Sequence, residues 1–173
     1  EPAEQVSADD RGEDQAVEPE KLRQAARDLL LSNRRRGYDP WYRASYSYTC
    51  PSAGRYQWQW FWDSCFHAIA LSHLDLEQAK AELVSLVTPQ EADGFIGHVA
   101  FWGRRPFLEV WGYLESRPGL RPRHSQLIQP PVLAQAVLQV FRRSEDIPFL
   151  KEMLPRVERY YRWLAQNRDP DGD

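Results

Sequence analysis

Cysteine is scarce in this 173-residue chain, with two in all, and methionine is scarcer, with one. Cys50 and Cys65 form neither a CxxC pair nor a metal-ligand spacing, and no HExxH occurs among the four histidines, so no zinc site is expected. No charged-then-apolar leader is present, which reads the two thiols as free in a reducing, cytoplasmic compartment and leaves a bridge between them open. No apolar run approaches the roughly eighteen residues of a membrane helix. GxSxG, Walker-type, GxGxxG and kinase signatures are all missing, so nucleophilic and nucleotide chemistry have no support and no cofactor is expected. Net charge is only -3, and the one basic cluster, "NRRR" at 33 to 36, reads as a solvated helix end, so no nucleic-acid partner is indicated. The closing "DPDGD" lacks the ligand spacing and final Glu of a calcium loop and reads as a turn.

Aromatic residues are plentiful, at 13% with seven Trp, in a length that suits one domain with a real core. Charge is uneven. Residues 1 to 20 carry eight acids against one base, so 1–18 is expected to be an acidic disordered tail, with the folded part running from 19 to 173. The first residue is Glu and the last stretch stops within a turn, which leads to the expectation of a segment of a longer polypeptide.

Apolar residues at Leu22, Ala25, Ala26, Leu29 and Leu30 predict a helix over 19 to 35, and the Tyr, Ser, Pro and Gly of 37 to 54 predict a long surface connection. A second helix is expected to begin near Asp63, with a stripe of Trp62, Phe66, Ile69, Ala70, His73 and Leu74. A third, over 76 to 87, sets Ala79, Leu83, Leu86 and Val87 against a charged side and reads as an outer helix. Between 88 and 125, glycines and prolines break any period, and "GFIGHVAFW" reads as extended or hairpin-like. A helix apolar on nearly every side follows from Val132 to Phe141. After it comes an amphipathic outer one carrying Leu150, Met153, Leu154, Val157, Tyr160, Tyr161 and Leu164, where Pro155 marks a kink or a new start. Inner and outer helices with no βαβ pattern predict an all-α architecture.

The block "YQWQWFWDS" at 56 to 64 is the richest in chemistry. In an extended lead-in, Trp58, Trp60 and Trp62 share one side and Gln57, Gln59 and Phe61 the other. On residues alone this serves equally as a strand packed on the core or as the aromatic floor of a cleft. Flat aromatic faces suit the C–H face of a sugar, and an ionised Asp63 would accept from its hydroxyls. Asp63 is equally a capping acid for the helix that follows. Gln129, ahead of Pro130 and Pro131, is either a solvated loop residue or a hydrogen-bonding group held by two rigid neighbours. His98 is either a satisfied loop histidine or a group at a site.

"YQWQWFWDSCFHAIAL", "SQLIQPP" and "LAQNRDPDGD" together resemble the N-terminal part of bacterial mannosylglycerate hydrolase-like glycoside hydrolases, relatives of the family 63 processing α-glucosidases, from about residue 20 to 173. The resemblance implies a partial (α/α)6 barrel of alternating inner and outer helices, with sugar bound where inner-helix ends and loops meet. It places Tyr56, Trp60, Trp62 and Asp63 in the sugar subsite, with Gln129 near it and His98 as a neighbour. It also implies an inverting reaction on α-glucosides or α-mannosides such as glucosyl- or mannosylglycerate, using an Asp acid and a Glu base roughly 6.5–9.5 Å apart. Neither carboxylate falls in these residues, since the acid would follow the "DPDGD" segment and the base lies far beyond it. The chain alone is therefore expected to be inactive, and its uncovered helix faces to favour self-association. Two other readings remain: a non-catalytic helical carbohydrate-binding protein, and a sugar epimerase on the same barrel, which would want paired histidines facing the pocket.

Overall fold

In a computed structural model the described residues are 18–103, 124–169 and 172. The acidic tail, much of the irregular stretch between 88 and 125, and most of the "DPDGD" end lie outside them. Helix α1, Pro19–Ser32, opens on Pro19 and stops sooner than its sequence period predicts. Asn33 caps it, and the arginines that follow do not prolong the helix. They begin β1, Arg34–Asp39, which pairs antiparallel with β2, Ala44–Thr49, in a register that sets Arg34 opposite Thr49 and Asp39 opposite Ala44.

This hairpin corrects two expectations, the solvated helix end at 33 to 36 and the long connection over 37 to 54. Its cause is a period of two in "SYSYT". Tyr46 stacks on Trp102 at 5.0 Å on one side, while on the other Ser47 Oγ donates to Gln78 Oε1 at 2.9 Å and its N–H donates to Ser85 Oγ at 2.9 Å. The buried Asp39 carboxylate ties the hairpin tip, accepting from the N–H of Trp41 and, at 2.9 Å, from that of Gly103.

The short β3, Gln59–Trp60, pairs antiparallel with β4, Val99–Ala100, and runs directly into α2, Phe61–Leu71. The helix therefore begins earlier than Asp63, and its phase differs from the expected stripe. Phe61, Ser64, Cys65, Ala68 and Leu71 are buried, whereas Trp62 and Phe66 stand 40% and 51% exposed. Helix α3, Leu76–Val87, starts on Asp75, whose carboxylate accepts from the Gln78 N–H at 3.0 Å. It is no outer helix. Ala79, Leu83, Leu86 and Val87 face the core, and the polar side meets the hairpin, so Gln78, Glu82 and Ser85 are buried too.

Helix α4, Leu133–Ser144, buries one face through Leu133, Ala136, Val137 and Val140, and Leu138 is open to solvent; the expectation of burial on nearly every side does not hold. Glu145 in the left-handed region ends it, and Asp146 caps α5, Ile147–Arg168, accepting from the Phe149 N–H at 3.0 Å. Helix α5 runs unbroken through Pro155. Its Met153 and Tyr160 are fully buried, and most of the predicted stripe packs on the core, Leu154 excepted. The main core joins α2, α3, α4 and α5 around Phe61, Cys65, Leu83, Leu133, Val140 and Tyr160. Helices dominate, yet the two small sheets mean the chain is not all-α. Among the described residues no helix is long and apolar enough to cross a membrane.

Candidate functional site

The junction of β3 with α2 splits the three tryptophans that an extended strand would align. Trp58 is buried, edge-on to Phe101 at 5.5 Å, and belongs to the core. Trp60 is half-buried at the end of β3. Trp62 already follows helical geometry and faces outward beside Phe66 at 6.2 Å. Gln59, expected opposite the tryptophans, is fully buried: its Nε2 donates to the backbone carbonyl of Glu82 at 3.1 Å, and its Oε1 accepts from Trp102 Nε1 at 2.6 Å.

Trp60 joins two of the other candidates. Tyr56 meets it edge-on at 5.6 Å and His98 at 5.3 Å, so Tyr56, Trp60 and His98 form one aromatic run along the β3 edge. The His98 loop is fixed by its backbone, which accepts from the Phe61 N–H at 2.9 Å and donates to the Leu127 carbonyl at 2.8 Å. The ring bonds to Ser125 Oγ through Nδ1, and burial lowers its pKa, favouring the neutral form. Gln129 Oε1 accepts from the Trp62 N–H at 3.0 Å, one of the first-turn donors that a helix leaves without a backbone partner. The side chain ahead of the two prolines thus caps α2 from a distance.

Asp63 stands in the first turn of α2, half-buried. Burial raises its pKa, and His67, one turn along the same face, opposes the rise. The half-buried ring of His67 itself has a pKa lowered by burial, and its Nδ1 lies 3.1 Å from the carbonyl of Thr49, the geometry of an Nδ1–H donor. The structure therefore gathers Tyr56, Trp60 and His98 in one contact run, and Trp62 with Gln129 in another. Asp63 follows Trp62 directly in the chain.

Sequence reasoning passes over Glu82. Its carboxylate is completely buried, accepting from the Thr49 N–H and from Ser64 Oγ, both at 2.6 Å. Its only signal is a Glu beside Leu83 on a helix side that the period assigns to solvent. Burial pushes its pKa up to about 8 against those two hydrogen bonds, which favour the charge. A carboxyl raised in this way keeps its proton in the folded chain after the unfolded chain has lost it. Its contribution to stability is thus complete below the ordinary 4.5 and is lost as pH rises through about 8. The slope is at most about 1.4 kcal/mol per pH unit. His67 and His98, lowered from 6.5, act in the opposite sense and only below that value, so the interval from 6.5 to about 8 reports Glu82. Urea midpoints are expected to fall across this interval in the wild-type chain and to stay level in Glu82→Gln.

Cys50 and Cys65 are both buried and free, and burial raises both thiol pKa values. Among the described residues no three His, Cys, Asp or Glu side chains gather to hold a metal ion.

The chain is similar to the crystal structure of a family 63 mannosylglycerate hydrolase from Thermus thermophilus in complex with Tris and D-glycerate. The TM-score is 0.68 at 32% identity, over 86% of this chain and 34% of that one. The fold, mostly helical with two small antiparallel sheets, is thus that of part of a family 63 glycoside hydrolase structure. Residues 56–173 match the family described as the mannosylglycerate hydrolase MGH1-like glycoside hydrolase domain, and the chain belongs to that family, corresponding to its N-terminal portion. Mannosylglycerate hydrolase MGH2 of Selaginella moellendorffii is 30% identical over 158 residues, 86% of this chain and 29% of the relative. Glucosylglycerate hydrolase of Mycolicibacterium hassiacum is 32% identical over 130 residues, 66% of this chain and 29% of the relative. The chain spans about a third or less of the length of each of these proteins.

Proposed function

We propose that residues 19–173 are the sugar-holding N-terminal part of an inverting α-glycoside hydrolase that acts on glucosyl- or mannosylglycerate, preceded by an acidic tail. The observation that carries this reading is the aromatic run Tyr56, Trp60 and His98 on the β3 edge, with Asp63 half-buried where that edge turns into α2. Trp60 offers a ring face for the apolar side of a pyranose, and Tyr56 and His98 wall it. Ionised Asp63 accepts from sugar hydroxyls, with the N-terminal dipole of α2 favouring its charge. Gln129, bonded to the Trp62 N–H, holds the loop before α4 against the same helix start.

In an inverting reaction one carboxylic acid protonates the leaving oxygen while a carboxylate on the opposite face activates water. On this reading both groups come from residues outside the chain, and its own part is to bind and orient. The similar proteins, a mannosylglycerate hydrolase and a glucosylglycerate hydrolase, support the substrate class. The chain incubated with 2-O-α-mannosylglycerate, and separately with aryl α-glucosides, is expected to release no sugar, while mannosylglycerate changes its tryptophan fluorescence. Hydrolysis by the chain alone would sink the placement of the two carboxylates; a fluorescence spectrum unmoved at saturating ligand would sink the sugar edge.

A further inference from the structure

A buried carboxyl costs several kcal/mol of lost hydration unless its oxygens are well bonded, and an apolar side chain would fill the same space at less cost. Among the described residues no ion pair offsets that cost for Glu82. What the carboxyl does supply is a pair of acceptors for two donors, the Thr49 N–H at the end of β2 and Ser64 Oγ in the first turn of α2. Its backbone carbonyl takes a third, Gln59 Nε2 of β3. Two of these three partners, Gln59 and Ser64, belong to the segments that carry the sugar-facing edge, and the third, Thr49, ends the neighbouring β2. Ser64 adjoins Asp63, and Gln59 adjoins Trp60. Thr49 also offers its carbonyl to His67, which lies one turn from Asp63.

We propose that Glu82 is a positioning residue for this edge: its carboxyl registers the first turn of α2 against β2, and its backbone carbonyl registers β3, so that Trp60, Trp62 and Asp63 hold one arrangement. The proposal rests on the sugar reading above for what the edge meets, and on the hydrogen bonds alone for how it is held. Protonation of Glu82 should then be felt along the edge, because the Thr49 N–H can only donate and a protonated carboxyl has one fewer good acceptor. The groups that face Glu82 are Tyr48 and Cys50 from the hairpin side and Cys65 from α2, with Arg35 acting in turn on Tyr48 and Cys50. Burial raises all three of those groups above their ordinary values, and His67 is lowered below 6.5, so the window between belongs to Glu82.

The experiment is a pH titration of the ¹⁵N-indole resonances of the chain, with 2-O-α-mannosylglycerate affinity measured alongside. In the wild type the Trp60, Trp62 and Trp102 indoles are expected to shift with one shared midpoint that Trp163, bonded to Asp93, does not share. Above that midpoint, where the ionised carboxyl accepts from both donors, Glu82→Gln, which keeps one acceptor as the protonated acid does, should abolish the titration and weaken mannosylglycerate binding about tenfold, and Ser64→Ala, which removes one of the carboxyl's donors, should weaken it by less, roughly threefold. If Glu82→Gln does not fold, the wild-type titration and Ser64→Ala still decide. Indoles of Trp60 and Trp62 that ignore the transition, or Glu82→Gln binding as tightly as the wild type above its midpoint, would overturn the proposal. Should the indoles titrate together while mannosylglycerate does not bind the wild type, the positioning role stands and the sugar reading fails.

Discussion

Asp63→Ala is expected to weaken binding of 2-O-α-mannosylglycerate to this chain roughly 100-fold with little change in its melting temperature. A hydrogen bond to a charged group contributes about 1.5–3 kcal/mol, and a carboxylate spanning two sugar hydroxyls loses both bonds at once, which sums to about 3 kcal/mol or a hundredfold in affinity. The fold gives up much less. Asp63 gains from the dipole at the start of α2, worth about 0.3–1 kcal/mol, but burial works against its charge. The two terms oppose each other. Asp63→Asn keeps the shape and one acceptor, so its affinity should fall between wild type and alanine. Isothermal titration of the three proteins checks the series; an alanine variant that binds within a factor of two of the wild type would remove Asp63 from the site.

The second large effect falls on stability, at Gly94. This residue has φ +104°, outside the ordinary range of a residue with a side chain, and a Cβ there would lie 2.3 Å from the backbone carbonyl oxygen of Arg159 on α5. The oxygen sits in a helix that cannot yield locally. Around the contact, Gln90 Nε2 donates to the Gly94 and Arg156 carbonyls at 3.0 and 2.8 Å, and Trp163 Nε1 donates to Asp93 at 3.2 Å, so turn and helix are seated together. Gly94→Ala combines backbone strain of about 1–3 kcal/mol with overpacking of about 1–3 kcal/mol. Against a total stability of about 5–15 kcal/mol this is enough to unfold part of the population near body temperature. Gly54→Ala meets nothing within 4 Å and serves as the control. Equal urea midpoints for the two variants would mean that the turn does not sit on α5 in solution.

Helices were legible wherever one face had to be apolar. The third helix begins and ends where its period placed it, because Asp75 caps it and Thr88-Pro89 follows it. Layering was less legible, since a helix whose polar side meets a hairpin looks like one facing water until Gln78, Glu82 and Ser85 are matched to Ser47 and Thr49. Indoles raise a similar ambiguity. Trp58 and Trp62 have the same side chain, and only the switch from strand to helix at Phe61 sends one into the core and the other outward. The candidate residues could be named from "YQWQWFWDS" and "QPP". The groups that hold them in place could not, because a buried Glu, Gln or Ser carries no periodic signal of its own.

The β1–β2 hairpin fits its surroundings like a key cut on both edges. Sliding the pairing by one residue would turn Ser45 and Ser47 toward the Trp102 ring and Tyr46 and Tyr48 toward the carboxyl and hydroxyl groups of α3, spoiling two fits in a single step. A hairpin with one water-facing side would have a softer choice. Here stacking on one side and directional bonds on the other select the same register, and the strand that leads toward "YQWQWFWDS" leaves from a fixed address.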